Sequence, residues 1–258
     1  MKKVAVLALL LMSTAFGATD TTDIVVDKVA AILSGPSTVG YGGESMVWIE
    51  ESLTYQKARL LLHCTTIADF IAPGTPIVEA YYIMPVLTPP YGGDLSASDS
   101  VALICYGLTR EGDWENGYFR TAWDDDPNGL QKAPNWTRRT ETDPASWPYS
   151  GCGLQSTPVD DPDGVITVAG RVDTTWVHPA DVGLSIYVGI DSQYVVDLLA
   201  EDSLFYGHMI KTPEAVDRKT AGRYYFPSNG YDGDTILLRI VTEVEEPLAG
   251  SGRMKGKR

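Results

Sequence analysis

The chain has 258 residues, 44% hydrophobic and 21% charged, with 34 Asp and Glu against 20 Lys and Arg, a formal net charge of −14. So acidic a chain repels nucleic acid, whose binding needs Lys and Arg clustered against the phosphates, and it disfavours strongly anionic polysaccharide. With about 240 residues beyond the N-terminal segment, there is room for one large all-β domain or two small ones.

Residues 1–18 read as a signal peptide. Lys2 and Lys3 precede the apolar run Val4–Met12, small residues follow at Ser13, Ala15, Gly17 and Ala18, and Ala15-Phe16-Gly17 fits the small-x-small cleavage rule. The apolar run falls far short of the roughly 20 residues needed to span a bilayer; a retained anchor is the alternative. A soluble chain, secreted or at the cell surface, is therefore expected. Taking Lys2 and Lys3 from the 20 basic residues leaves 18 against 34 acidic ones, a mature net charge of −16. In an exported protein that balance goes with solubility and some affinity for calcium.

Beyond the signal, short β-rich runs alternate with Gly, Pro, Asp and Ser clusters, with almost no helical periodicity. Strands are expected at Ile24–Leu33, Ser45–Ile49, Ala58–Cys64, Ile77–Leu87, Val101–Leu108, Val165–Val168, Ser185–Ile190, Tyr206–Lys211, Gly222–Phe226 and Thr235–Val241. The near-continuous apolar run Ala58–Cys64 suits a strand buried on both faces. Asp197–Asp202 suits a single helical turn. Such spacing predicts an all-β fold, an antiparallel β-sandwich or jelly roll, rather than a parallel sheet with intervening helices. The stretch Glu111–Asp163 is rich in Trp, Pro, Asp and Gly and reads as a long loop-rich insertion. The expected domain runs over residues 19–244, and 245–258 read as a disordered basic tail.

Four ordered motifs carry a family resemblance. The chain reads RLLLHCTTIADFIAPGTPIVEAYYIMPVL over Arg59–Leu87, YVVDLLAEDSLFYGHMIK over Tyr194–Lys211 and RKTAGRYYFPSNGYDGDTILLRIVTE over Arg218–Glu243. Trp114-Glu115, Thr121-Ala122-Trp123 and Pro127 echo a W-x-E…V-T-W-x-x-x-P pattern, and Val39–Ile49 echoes an opening T-x-Y-G segment. In these motifs the chain resembles the DNRLRE family of secreted β-sandwich domains, which are similar to carbohydrate-binding modules. It departs from that pattern at Cys64-Thr65, where the family has Phe-Asp, and in the insertion after Trp123. The resemblance implies an extracellular, non-catalytic module facing polysaccharide or the cell surface.

Cys64, Cys105 and Cys152 form no C-x-x-C, so zinc and thioredoxin-like readings have no support. Oxidising conditions outside the cell favour one disulfide with one thiol left over. The resemblance puts a large apolar residue at Cys64, which makes that thiol a core residue and leaves Cys105–Cys152 as the expected pair.

No G-x-S-x-G, H-E-x-x-H, Walker loop or dinucleotide fingerprint occurs. His63, His178 and His208 fall in or beside expected strands and have no local triad partner, which suits packing or surface roles; the reading is not an enzyme. The sharpest local motif is Asp124-Asp125-Asp126-Pro127-Asn128-Gly129, which fits the opening of a calcium loop with Asp124, Asp126 and Asn128 as ligands. Asn135 stands where the bidentate Glu would be, and an acidic turn is the plain alternative. Asp160–Gly164 and Asp232–Asp234 are weaker versions, ordinary as turns. Aromatics crowd the same insertion. Trp136, Trp147 and Tyr149, with Arg138 beside them, are the expected saccharide contacts, because an exposed ring stacks on the apolar face of a sugar. The alternative is that they staple the loop to the sheets.

The reading is thus a secreted, non-catalytic module that binds polysaccharide or a cell-surface glycan. One rival is a structural or adhesive filament subunit that self-associates by strand addition through Thr19–Leu33. A third reading, a jelly-roll polysaccharide lyase or hydrolase, needs a basic or carboxylate-lined concave face, and a cleft gathering Tyr, His and Arg would favour it. If Ile24–Leu33 pairs within its own domain, the filament reading loses its main support.

Overall fold

The computed structural model describes residues 18–33, 46–51, 57–88, 100–108, 166–167, 174–200, 207–212, 222–228 and 232–244. Residues 1–17, the whole stretch 111–163 and residues 245–258 lie outside these residues. Among the described residues twelve strands occur: β1 Thr19–Val25, β2 Lys28–Leu33, β3 Met46–Glu51, β4 Lys57–His63, β5 Ile77–Pro85, β6 Val101–Leu108, β7 Ile166–Thr167, β8 Thr175–Val177, β9 Ser185–Ile190, β10 His208–Lys211, β11 Gly222–Pro227 and β12 Leu237–Glu243. Two helices accompany them, α1 Ile67–Phe70 and α2 Ser192–Ala200, with a 3-10 turn at Pro179–Asp181. The chain is all-β, and every strand pairing among the described residues is antiparallel. No helix among these residues is long and apolar enough to cross a membrane.

The strands form a four-stranded sheet, β1-β12-β5-β9, and an eight-stranded one, β11-β3-β4-β10-β6-β7, in which β2 also pairs with β4 and β8 with β6. One cluster of buried side chains draws on both. Ile24, Tyr82, Met84, Val188 and Leu238 enter it from the four-stranded sheet, and Val29, Leu60, Leu62, Leu103, Ile210 and Phe226 from the eight-stranded one. Each of these large side chains contributes roughly 1.5–3 kcal/mol by leaving water.

The alternation of side chains along a strand separates the two sheets. From Ala80 to Met84 in β5, and along all of β9, the even-numbered positions are buried and the odd ones reach solvent at least in part, as Ile186, Val188 and Ile190 against Ser185 and Tyr187 show. In β6 all eight residues are buried, so Ala102, Ile104, Tyr106 and Leu108 are covered on the face away from the shared core. The same holds in β4, where Arg59, Leu61 and His63 are buried opposite Leu60 and Leu62. A run with few polar breaks is what such a doubly covered strand requires.

Two elements differ from the sequence reading. Ile24–Leu33 is two strands in different sheets: β1 pairs with β12 and β2 with β4. The chain changes sheet at Val26-Asp27, where the Val26 amide donates to the Ile236 carbonyl at 3.0 Å. The Asp27 carboxylate accepts from the Thr65 amide at 2.7 Å and from the Thr65 hydroxyl. The expected turn at Asp197–Asp202 is instead α2, which starts at Ser192 because Asp191 caps it. Its Oδ1 accepts from the Gln193 and Tyr194 amides at 2.9 and 3.4 Å, satisfying amides that a helix start leaves without intrahelical partners.

A polar cluster sits inside the core where β5, β10, β6 and α2 meet. Tyr82 Oη and His208 Nδ1 share a hydrogen bond of 2.8 Å, and the Tyr194 hydroxyl donates to the Leu108 carbonyl. The His208 ring lies edge-on to Tyr82 and Tyr194 at 5.4 and 5.6 Å. Burial, with His63 nearby, pushes the His208 imidazole down to about 3, so the ring is neutral at ordinary pH. Burial likewise raises the Tyr82 and Tyr194 hydroxyls above the usual phenol range. Gly107 makes room for Tyr194, because a Cβ there would overlap the tyrosine ring.

Candidate functional site

The outward face of the four-stranded sheet carries the arrangement with the most binding chemistry. Register aligns Asp23 of β1, Arg239 of β12, Tyr81 of β5 and Gly189 of β9 in one row. The neighbouring row is Val25, Leu237, Ile83 and Tyr187. Directly paired and diagonal residues on one face lie close enough for their side chains to meet. Gly189 puts no side chain between Tyr81 and Tyr187, whose rings approach edge to face with centroids 5.7 Å apart. Tyr187 is 59% exposed, so its ring is open to solvent on this face.

Tyr81 is held from its other side. The Arg239 guanidinium lies 6.0 Å from the Tyr81 ring centre and grips Asp23 with two hydrogen bonds of 2.5 and 2.6 Å. This fork-on-carboxylate geometry fixes the guanidinium plane. The Arg239 hydrogen bond holds the Asp23 carboxyl below its ordinary range.

Beside the two rings a recess of about 560 Å³ opens, lined by Val78, Glu79, Tyr81, Tyr187, Asp191 and Ser192 among others. Asp191 faces it from the first turn of α2 and uses Oδ1 to cap that helix. Glu79 is exposed, on the tyrosine side of β5 two residues before Tyr81. Among the described residues the lining combines aromatic faces, two carboxylates and a hydroxyl, with no Lys or Arg. Such a surface can stack an apolar ring face and accept hydrogen bonds from hydroxyls or amines.

The residues singled out in the sequence fall elsewhere. Trp136, Trp147, Tyr149 and Arg138, like Asp124, Asp126, Asn128 and Cys152, lie outside the described residues. Calcium as a cofactor is overturned: among the described residues no group of three or more His, Cys, Asp or Glu is placed to hold a metal ion, and calcium needs six to eight converging oxygens. Asp232 and Asp234, from the weaker turn motif, are exposed and belong to no such group. The expected disulfide is corrected too. Cys105 is a buried free thiol inside β6, directed into the core, and Cys64 is a second buried free thiol. Burial raises the Cys105 thiol well above the usual range and, together with the Asp27 carboxylate, lifts Cys64 to about 12. Neither offers the accessible thiolate that reactive cysteines need.

Of the histidines, His63 and His208 pack inside. His178 has a partner distant in sequence, Ser100, whose hydroxyl lies 2.6 Å from Nδ1. A hydroxyl–imidazole pair becomes a nucleophile and base only when a third group orients the ring. Asp181 instead accepts from the His178 backbone amide at 2.7 Å, which makes this cluster a cap on the 3-10 turn.

The tyrosine face escaped the sequence reading, although a signal for it exists. In Ser185-Ile-Tyr-Val-Gly-Ile the apolar residues alternate inward, which leaves an outward Tyr and a Gly two residues on, where a strand glycine marks close approach. In comparisons with known proteins, no family model matches the chain and no curated protein matches it significantly.

Proposed function

We propose that this chain is a secreted, non-catalytic glycan-binding module, an antiparallel β-sandwich of the kind its DNRLRE-like motifs suggest. Its saccharide site in this reading is the outward face of the four-stranded sheet. The exposed Tyr187 ring, set against Tyr81 at the mouth of a recess with two carboxylates, is the observation that carries it. Stacking on Tyr187 supplies apolar contact, and Glu79, Asp191 and Ser192 supply acceptors for hydroxyls. The gap at Gly189 lets a ring lie low against the sheet.

The rival filament assembled by donation of the N-terminal strand is less well supported. Thr19–Val25 is paired along its whole length with β12, and Lys28–Leu33 with β4. Donation would have to strip β1 from its own sheet. The test of the glycan reading is retention of the full chain on a panel of insoluble polysaccharides. At least one should retain the wild type, and the double variant Tyr81→Ala, Tyr187→Ala should pass through unretained. Equal retention of both proteins would contradict the assignment of the site.

A further inference from the structure

The charge of the recess points beyond glycans in general to one chemical class. We infer that the site takes amine-bearing saccharides, 2-amino sugars with the amine protonated, in preference to neutral or acidic ones; this rests on the glycan-binding reading. Glu79 and Asp191 line the same recess, and among the described residues no basic side chain lines it with them. Asp191 commits Oδ1 to capping α2, and among the described residues neither its Oδ2 nor the Glu79 carboxylate is hydrogen-bonded or ion-paired. The nearest cation of the sheet face, Arg239, is bound by Asp23 and lies against Tyr81. It is therefore not offered to an anion arriving at the recess.

Three effects then favour the same ligand. Two carboxylates on one concavity repel each other, and a cation between them relieves that repulsion. The faces of Tyr81 and Tyr187 attract positive charge through their ring quadrupoles. The chain as a whole, at a formal net charge of −14, repels uronate and sulfated chains and draws cationic ones. A 2-amino sugar joins the needed parts in one unit: an apolar ring face for Tyr187 and an ammonium for the carboxylates.

The experiment is calorimetric titration of the full chain with four oligosaccharides of matched length: a glucosamine oligomer, its N-acetylated form, a glucose oligomer and a galacturonate oligomer. It is run below the pKa of the sugar amine, at low and high salt. The glucosamine oligomer should bind about fivefold tighter than its acetylated form, a margin typical of a partly exposed ion pair. High salt should erase that margin, and Glu79→Gln should bring the glucosamine oligomer close to the acetylated one. Equal affinity for the amine and acetylated forms, or tightest binding of the galacturonate oligomer, overturns the amine preference while leaving a glycan site in place. No binding of any of the four overturns the preference and counts against the glycan reading itself.

Discussion

The two sheets of this protein treat their outer faces differently. At the centre of the eight-stranded sheet β6 and β4 hide both faces: β6 is buried at every position and β4 holds even Arg59 and His63 out of solvent. The four-stranded sheet hides only one, and leaves Asp23, Val25, Tyr81, Tyr187 and Glu79 facing water or partly so. A doubly covered sheet has its side chains committed to packing, so substitution there acts on stability. A singly covered sheet has side chains to spare, so substitution on its open face acts on whatever that face touches. Under the proposed glycan-binding reading, packing and recognition fall to different sheets.

The largest effect expected from the packed side is acid sensitivity centred on His208. Its folded pKa, about 3, lies below the ordinary 6.5, so the unfolded chain takes up the proton first as pH falls. The stability contributed by keeping this ring neutral is whole above about pH 6.5 and is lost downward toward pH 3, by about 1.4 kcal/mol per pH unit for one proton. Denaturant midpoints measured across that window should fall more steeply for the wild type than for His208→Gln. Parallel curves would show that the buried imidazole is not the source.

Next comes Gly207, which enters β10 at φ 89°, where a Cβ would also meet the Leu62 carbonyl. Gly207→Ala should cost about 2–4 kcal/mol, since a strained backbone and a steric overlap combine. A thermal midpoint unchanged by the substitution would contradict that geometry. Gly107→Ala, which pushes against the Tyr194 ring without a positive φ to add strain, should cost less, about 1–3 kcal/mol. Combined with Tyr194→Leu, it should cost less than the sum of the two single substitutions, because both act at one contact. Strict additivity would mean that Gly107 and Tyr194 do not share that space.

Much of the packed side was legible in the sequence. Val101–Leu108 and Ser185–Ile190 are strands over those same residues, and Ala58–Cys64 is buried on both faces as its near-continuous apolar run implied. The break at Val26-Asp27 was not legible. Ile-Val-Val-Asp-Lys-Val reads as one β run, and only a partner 38 residues away, Thr65, makes Asp27 a corner. Helix α2 was hidden because Tyr194, Val195 and Val196 are strand formers by propensity, while the Asp191 cap and the burial of Val195 and Leu199 decide otherwise. The candidate site was missed for a related reason. A lone Tyr and a Gly in a short strand draw less notice than four tryptophans in a loop, and the meeting of Tyr81 with Tyr187 depends on a register between β5 and β9 that local pattern does not encode.

The most direct test of this division sets one substitution from each sheet against the other, using titration of the tightest-binding oligosaccharide. Tyr187→Ala should weaken binding about tenfold, equivalent to about 1.4 kcal/mol, and leave the unfolding midpoint within about 0.5 kcal/mol of wild type. Gly107→Ala should lower the midpoint and leave affinity unchanged at temperatures where it is folded. Undiminished affinity in Tyr187→Ala would contradict the account, because the open sheet face would then hold no binding site.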